Sequence, residues 1–115
     1  SPDPLEEAVE TADQPSAVRR NDARNRYELA VGGQTAVCEF NRLSAAVMFT
    51  HTEVPEALEG RGVGSTLVRG ALDDVRAQGL EVIPLCPFVA AFIRRHPEYL
   101  DLVSPVSRPQ FGRSR

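Results

Sequence analysis

The sequence predicts one α/β (α+β) domain, in which helices pack against a mixed and mainly antiparallel sheet. Two observations carry this prediction. In the first half of the 115-residue chain, apolar and polar residues alternate with the period of two that half-buried strands show. The second half changes to helical spacing directly after a glycine-rich loop. The predicted order of elements is β-β-β-β-α-β-α.

The first three strands are predicted from this alternation. A short strand is expected within Ala17–Asn21, and Arg26–Val31 alternates apolar with polar side chains. Gly32-Gly33 is typical of a two-residue hairpin turn. After it the alternation resumes in Gln34–Phe40, so that these segments are expected to form an antiparallel meander.

The remaining elements follow from a change of period. A fourth strand, Ala45–Val54, stops before a proline, which cannot donate to a sheet. Helical spacing then relates Val63, Leu67, Val68, Ala71, Leu72 and Val75. Gly79 is expected to end this helix. Leu80–Leu85 follows the helix as a compact apolar strand, and is therefore expected to run parallel to the fourth strand. Pro87 suits the first turn of a second helix, Phe88–Arg95.

The two ends of the chain differ in composition from its middle. Residues 1–16 are polar, acidic and interrupted by prolines, which predicts a flexible tail. Residues 104–115 are rich in Pro, Ser and Arg and are expected to be irregular. The folded domain is therefore predicted to span residues 17–103.

Composition argues against several classes of function. The net charge is −3, but residues 1–13 hold 5 of the 16 acidic residues, which leaves 11 acids against 13 bases. This small excess fits a phosphorylated ligand and is too weak to predict nucleic-acid binding. All 13 bases are arginine, so that the chain has no lysine for a P-loop. No apolar run approaches the roughly 20 residues of a membrane span.

The two cysteines predict neither a metal site nor a disulfide. Cys38 and Cys86 lie far apart in the sequence, with no metal-ligand spacing around them. Free thiols in a cytoplasmic protein are the expectation.

The stretch LEGRGVGSTLV, Leu58 to Val68, has three glycines in five positions directly before a helix. Exposed N–H groups at a helix start attract anions, and Gly60, Gly62 and Gly64 would let a phosphate approach the backbone closely. A dinucleotide-binding loop would need G-x-G-x-x-G after the first strand of a parallel sheet. This loop has G-x-G-x-G after several antiparallel strands instead. A glycine-rich turn without a ligand stays open as an alternative.

The segment V-P-x(3)-E-G-R-G-V-G-S resembles the acyl-CoA-binding signature of the GNAT-type N-acetyltransferase superfamily. In that signature a strand, a Gln/Arg-x-x-Gly-x-Gly/Ala loop and a helix bind the pyrophosphate of coenzyme A. Gly62 and Gly64 match the two small residues, whereas Glu59 stands where the family usually has Gln or Arg. Arg61 could supply that positive charge. The resemblance covers residues 26–103, and HTEVP together with VIPLCPFVAAFIRRHPEYLDLV is similar to the short, cysteine-containing branch.

This resemblance implies a GNAT-like fold with acetyl-CoA between the strand that ends at Val54 and the strand Leu80–Leu85. In the family these parallel strands splay apart, and pantetheine bonds to the backbone of the first. The pyrophosphate would lie on the loop amides, within reach of the Ser65 and Thr66 hydroxyls. The implied contacts to coenzyme A are Val54, Glu59, Gly60, Arg61, Gly62, Val63, Gly64, Ser65 and Thr66. No metal is implied.

The chain departs from larger relatives in the parts that wall the acceptor site. Those proteins usually have helices between the first two strands, where this chain has the short connection Asp22–Asn25. They also end in a strand pair, which the dozen residues after Val103 cannot form. An open site of this kind suggests a bulky or macromolecular amine, or a missing partner subunit.

The acid that reprotonates coenzyme A also differs from the family. Many relatives have a tyrosine near the middle of the last helix, and the equivalent position here is near Ile93. Tyr99 comes too late to be assumed equivalent. Cys86, at the end of the splayed strand, is the nearest substitute. It could act as a nucleophile, as a proton donor or only in packing, and the positive end of a following helix would favour its thiolate form.

His51 and Glu53 are the candidates for the general base, because they share one face of the strand beside the expected acyl site. A half-buried structural histidine and an exposed carboxylate are the alternatives. Cys38 is expected to pack in the core, and His96 to cap the second helix. Arg94 and Arg95 are expected in solvent, although one of them could reach the 3′-phosphate of coenzyme A.

The predicted function is the transfer of an acetyl group from acetyl-CoA to an unidentified amine. The predicted partners are acetyl-CoA and this amine, a small molecule or a protein, with neither nucleic acid nor a membrane. The protein is expected to be a monomer or a weak dimer. A non-catalytic acyl-CoA-binding module is the first alternative. A small interaction protein with a purely structural glycine loop is the second.

Overall fold

The computed structural model describes residues 17–112 and contains a five-stranded sheet with two main helices. The strands are β1 (Arg19–Asn21), β2 (Arg26–Val31), β3 (Gln34–Arg42), β4 (Ala46–Glu53) and β5 (Glu81–Pro84). The helices are α1 (Val63–Gln78), α2 (Pro87–Arg95) and a final turn, α3 (Pro109–Gly112). Short 3₁₀ helices occupy Glu56–Leu58, Pro97–Leu102 and Pro105–Ser107. The predicted order β-β-β-β-α-β-α is confirmed, and the predicted tail 1–16 lies outside the described residues.

The strands lie in the sheet in the order in which they occur in the chain, β1 to β5. The first four are antiparallel neighbours, and β5 pairs parallel with β4 across the helical connection. The α/β class with a mixed, mainly antiparallel sheet is therefore confirmed. The sequence prediction of a parallel final strand is confirmed with it.

The described part of the predicted irregular tail, residues 104–112, forms short helical turns and bonds to the edge of the sheet. Val103 forms a parallel bridge to Val82, and the amide of Ser104 donates to the Val82 carbonyl at 2.8 Å. These bonds cover part of the outer edge of β5, which would otherwise expose unpaired backbone groups. The chain then continues as 3₁₀ and α-helical turns, and the Arg108 guanidinium donates to the Val103 carbonyl at 2.9 Å.

The core lies between the sheet and helix α1. Its sheet side includes three aromatic rings, Tyr27, Phe40 and Phe49, whose centroids are 5.3 to 6.4 Å apart. The apolar stripe of α1 is fully buried at Leu67, Val68, Ala71, Leu72 and Val75. Helical spacing therefore identified the face that α1 presents to the core. None of the helices within residues 17–112 has the length and apolar character needed to span a bilayer.

A hydrogen-bonded cluster around Asp74 fixes α1 to the first two strands. The Tyr27 hydroxyl donates to this carboxylate at 2.6 Å, and the Arg20 guanidinium donates to it at 2.7 Å. Burial raises the pKa of Tyr27 well above its usual value, and Asp74 raises it further. The ring is thus a neutral donor that holds the helix in register over the sheet.

Strand β4 contains a β-bulge at Thr50. Glu39 pairs with His51, whereas the next residue, Phe40, pairs with Phe49, so that Thr50 is an extra residue in β4. The bulge reverses the alternation of side chains along the strand. Phe49 faces the core before the bulge, and Thr52 faces the core after it.

Strand β4 also extends beyond its parallel neighbour. The ladder to β5 ends at the pair Phe49 and Pro84, while β4 continues to Glu53. The amide of Cys86 still donates to the Phe49 carbonyl at 2.9 Å, and α2 then leads the chain away. The last residues of β4 are therefore paired with β3 on one side and, within residues 17–112, have no strand beside them on the other.

In the gap beside β4, the first turn of α1 lies close to the first turn of α2. A Cβ atom added to Gly64 would lie 2.6 Å from Cζ of Phe88 and 3.3 Å from Cγ2 of Val54. Real Cβ atoms do not approach that closely, and the Phe88 ring therefore needs a glycine at position 64. The space left by this glycine is filled by protein.

This contact predicts a coupling between positions 64 and 88. Gly64→Ala is expected to cost about 1–3 kcal/mol through overpacking. In the Phe88→Ala background the same change is expected to be neutral, or stabilising by up to about 1 kcal/mol, because alanine is the better helix former. Urea unfolding of the four variants measures the coupling as a double-mutant cycle. Equal costs in both backgrounds would mean that Val54, and not Phe88, excludes the methyl group.

Candidate functional site

A cavity of about 480 Å³ opens where β4 extends beyond the end of β5. We call it the glycine-loop cavity. Its walls come from the end of β4, the loop 58–62, the first turn of α1 and one face of α2. The lining residues are Thr52, Val54, Leu58, Glu59, Gly60, Gly62, Val63, Gly64, Ser65, Phe88 and Arg95.

The start of α1 gives this cavity an anion-binding character. Gly62 caps the helix with φ of 76°, in the left-handed region where a residue with a side chain would be strained. No side chain in the described part of the chain caps the helix by a hydrogen bond, and its first turn has no acidic residue. The first N–H groups of a helix have no partner within it, and here they lie at the cavity wall. The geometry suits a phosphate or pyrophosphate group.

Seven of the nine predicted coenzyme A contacts line the cavity: Val54, Glu59, Gly60, Gly62, Val63, Gly64 and Ser65. Arg61 is exposed on the loop and does not line it. Thr66 does not line it either, and its amide already donates to the Gly62 carbonyl at 3.0 Å. The interpretation of Gly64 as an opening for phosphate also changes, because the Phe88 ring occupies the space beside it.

Three lining residues, Thr52, Leu58 and Phe88, are not predicted from the sequence, whereas Arg95 is one of the two arginines for which a contact to the 3′-phosphate of coenzyme A is an alternative. Arg95 is a positive charge at the wall, which the sequence prediction for Arg61 had assigned to the loop. Its position could have been found from spacing, since Phe88 and Arg95 are seven residues apart and therefore lie on the same face of α2.

A second cavity of about 480 Å³ lies on the other face of β4, and we call it the Glu53 groove. It is lined by Arg26, Thr35, Val37, Glu53, Val54, Pro55 and Glu56. Two carboxylates face this space, and its one lining arginine, Arg26, already donates to Glu28 at 2.7 Å. Val54 lines both cavities, so that the end of β4 forms a thin wall between them.

His51 and Glu53 lie together on the outer face of β4. Their side chains approach to 3.8 Å, with 57% and 71% of the side-chain surface exposed. The prediction that they share one face is therefore confirmed. That face carries the Glu53 groove, whereas the face toward the glycine-loop cavity carries Thr52.

Cys86 has a different setting from the one that the sequence suggested. It is the N-cap residue of α2 and is only 2% exposed, and it does not line the glycine-loop cavity. Thr52 stands next to it, with the hydroxyl oxygen 3.2 Å from the Cys86 sulfur and 3.4 Å from the Cys38 sulfur. Cys38 is fully buried, as predicted, and burial raises the pKa of its thiol to about 12.

The other titratable candidates have structural partners. The Tyr99 hydroxyl donates to Asp73 at 2.7 Å, and burial together with this bond raises the pKa of Tyr99. The amide of His96 donates to the Ile93 carbonyl at the end of α2, and its ring stacks on Phe92 with centroids 4.2 Å apart. Across the part of the chain that the structure describes, no three His, Cys, Asp or Glu side chains form a group able to hold a metal ion.

The comparisons with known proteins agree with this geometry. The family model described as GCN5-related N-acetyl-transferase matches residues 26–102. The chain is similar to Protein NATD1 of Bos taurus, at 28% identity over 96 residues, which covers 79% of this chain and 85% of that protein. Protein NATD1 of Homo sapiens is 27% identical over 96 residues, with the same coverage. Protein NATD1 of Danio rerio is 36% identical over 55 residues, which covers 46% of this chain and 50% of that protein.

The family match covers β2 through the 3₁₀ helix that follows α2, and with it every lining residue of both cavities. Acetyl transfer is the general activity of this family. The chain therefore belongs to the GCN5-related N-acetyltransferases.

Proposed function

We propose that this protein transfers the acetyl group of acetyl-CoA to an amine. The observation that carries the proposal is the glycine-loop cavity, which combines free helix N–H groups, the arginine Arg95 and a stretch of β4 without a neighbouring strand. A ligand with phosphates at one end and an amide-containing arm at the other can use all three. Coenzyme A has this chemistry.

Each wall of the cavity has a separate task in this proposal. The amides of Val63, Gly64 and Ser65 hold the pyrophosphate, and Arg95 pairs with a further phosphate. The free backbone edge of β4 bonds to the pantetheine amides, which act as a short additional strand. The thioester then lies near Thr52, at the inner end of the cavity.

The amine enters the Glu53 groove and reaches the thioester past Val54 at the end of β4, because this residue lines both cavities. The carboxylates of Glu53 and Glu56 favour a cationic ammonium group there. His51 and Glu53, 3.8 Å apart, form the general base, in which one side chain removes the ammonium proton and the other orients it or relays the proton through water. The amine nitrogen then attacks the thioester carbon. Because the groove is open, a bulky or macromolecular amine fits the proposal.

One observation favours a second candidate, a non-catalytic acyl-CoA-binding module. The Tyr99 hydroxyl is bonded to Asp73 and does not line the glycine-loop cavity, so the family's usual acid is not supplied by this residue. Both candidates bind coenzyme A. Acetyl transfer to a panel of primary amines distinguishes them.

Acetyl-CoA is expected to stabilise the fold. At a concentration about 100 times its dissociation constant it should add roughly 2.7 kcal/mol to the free energy of unfolding. Thermal melts at increasing acetyl-CoA measure this as a rising Tm, with adenosine as the control for weak nucleoside binding. An unchanged Tm at saturating concentrations would refute both the transferase and the binding module.

Gly62→Asp is expected to abolish that stabilisation, because its carboxylate would repel the pyrophosphate at the start of α1. Gly62→Asn is the matched control, since asparagine has the same shape and tolerates the left-handed backbone at least as well. The asparagine variant should keep most of the shift in Tm. If both variants lose the shift in Tm, backbone strain at position 62, and not the charge of the carboxylate, is responsible for the loss.

His51→Gln and Glu53→Gln identify the base once an acceptor amine is found. Loss of the residue that accepts the proton should lower kcat by about 10²–10⁴-fold with the KM for acetyl-CoA little changed. Loss of the orienting residue should have a smaller effect. Both side chains are exposed, so each variant should melt near the wild-type temperature. Full activity in both variants would exclude this pair as the base.

A further inference from the structure

We propose that the Thr52 hydroxyl protonates the departing sulfur of coenzyme A, and that the Cys86 thiol is its source of the proton. This inference rests on the proposed acetyl transfer, and it assigns the acid step to a threonine on the cavity wall.

The first argument is position. Of the three groups Thr52, Cys86 and Cys38, Thr52 is the one that lines the glycine-loop cavity. Cys86 is 2% exposed and Cys38 is fully buried. Their sulfurs therefore contact the Thr52 hydroxyl and do not border the cavity. A proton that moves from either thiol to a ligand in the cavity therefore passes through the Thr52 oxygen.

The second argument is the direction of the hydrogen bonds. The Thr52 hydroxyl donates to the Cys38 sulfur at 3.4 Å. Its oxygen is then free to accept from the Cys86 thiol at 3.2 Å. A neutral thiol is a weak acceptor, and burial keeps Cys38 in that form. A thiolate that forms in the cavity is a much stronger acceptor, so the hydroxyl turns from Cys38 toward it.

The third argument concerns which thiol can give up its proton. Cys38 lies within β3 in the apolar core, where a negative charge would be strongly unfavourable. Cys86 is the N-cap residue of the nine-residue helix α2, so that its sulfur lies at the positive end of the helix dipole. Cys86 is therefore the source, and Cys38 holds the hydroxyl in place between reactions.

The step balances as a relay of protons. The amine nitrogen forms a bond to the thioester carbon, and the carbon–sulfur bond breaks with its electron pair on sulfur. The Thr52 proton moves to this sulfur while the Cys86 proton moves to the Thr52 oxygen, so that free coenzyme A and a Cys86 thiolate result. After the products leave, water in the cavity returns a proton to Cys86 along the same path. The amine nitrogen loses a proton to the base after its bond to carbon has formed, and the base releases this proton to water, which balances the proton that water returns to Cys86. The net reaction is neutral amine plus acetyl-CoA to amide plus coenzyme A, and an ammonium substrate releases one further proton, the one that the base removes before the attack.

The test compares coenzyme A with desulfo-coenzyme A, which differ at the sulfur. Their dissociation constants are measured by calorimetry for wild type, Thr52→Val and Thr52→Ser, between about pH 7 and 9.5, a range that includes the usual thiol pKa. Wild type and Thr52→Ser are expected to prefer coenzyme A by about tenfold or more once its thiol ionises, because a hydroxyl then donates to a charged sulfur. Thr52→Val has nearly the same shape as threonine and is expected to lose this preference. Both ligands make the same contacts through their phosphates, so these contacts cancel in the ratio of the two dissociation constants.

An unchanged preference in Thr52→Val would overturn the relay and leave the proposed function intact. Failure of wild type to bind either ligand would refute both. In turnover with an accepted amine, Thr52→Val should be slower by about 10²-fold and Thr52→Ser nearly normal.

Intact-mass measurement after incubation with acetyl-CoA gives an independent outcome. No acetyl group is expected on Cys86, because its sulfur gives its proton to Thr52 and does not attack the thioester. The chain has no lysine, so self-acetylation of lysine cannot complicate this measurement. An adduct on Cys86 that disappears when amine is added would overturn the relay and make Cys86 the nucleophile.

Discussion

The site depends on the unequal lengths of two parallel strands. A strand inside a sheet needs hydrogen-bond partners on both edges, and among the strands that the structure describes β4 has a neighbour on only one side after Phe49. The ladder ends at the pair Phe49 and Pro84, and the amide of Cys86 makes the last bond to this part of β4, at the Phe49 carbonyl. Cys86 and α2 then turn away from β4. The glycine-loop cavity is the space that this divergence leaves, and its free backbone edge is what gives an extended ligand a place to bind.

The bulge at Thr50 decides which chemistry faces that space. Without the extra residue, strict alternation after Phe49 would turn His51 and Glu53 toward the core and Thr52 away from it. Because of the bulge, the residues after Thr50 point to the opposite faces of the sheet from those that strict alternation would give them. The Thr52 hydroxyl therefore contacts the cavity and the buried thiols, while His51 and Glu53 lie on the exposed outer face of the strand. One additional residue thus separates the proposed proton donor, on one face of the strand, from the proposed base on the other.

Patterns that depend on neighbours in the sequence were predictable, and contacts between distant segments were not. Alternation, the Gly32-Gly33 turn and the spacing of α1 gave the order of elements and the parallel final strand. The glycine loop pointed to an anion at the start of α1. The bulge left no such signal, because Thr50 is ordinary for a strand and its effect depends on the register with β3. The packing of Phe88 on Gly64, and the Thr52 hydroxyl between two thiols 48 residues apart in the chain, also arise only when α2 folds against β4.

The thin wall at Val54 has a kinetic consequence for a two-substrate reaction. The glycine-loop cavity and the Glu53 groove open on opposite faces of β4, so a molecule in one does not block the mouth of the other. In the proposed transfer, donor and acceptor would enter through separate openings and would bind in either order, and each product would leave through the opening by which its precursor entered. Such an arrangement supports a random-order ternary complex. A large acceptor, even one that covers the whole outer face of the sheet, would leave the exchange of spent donor for fresh donor unhindered.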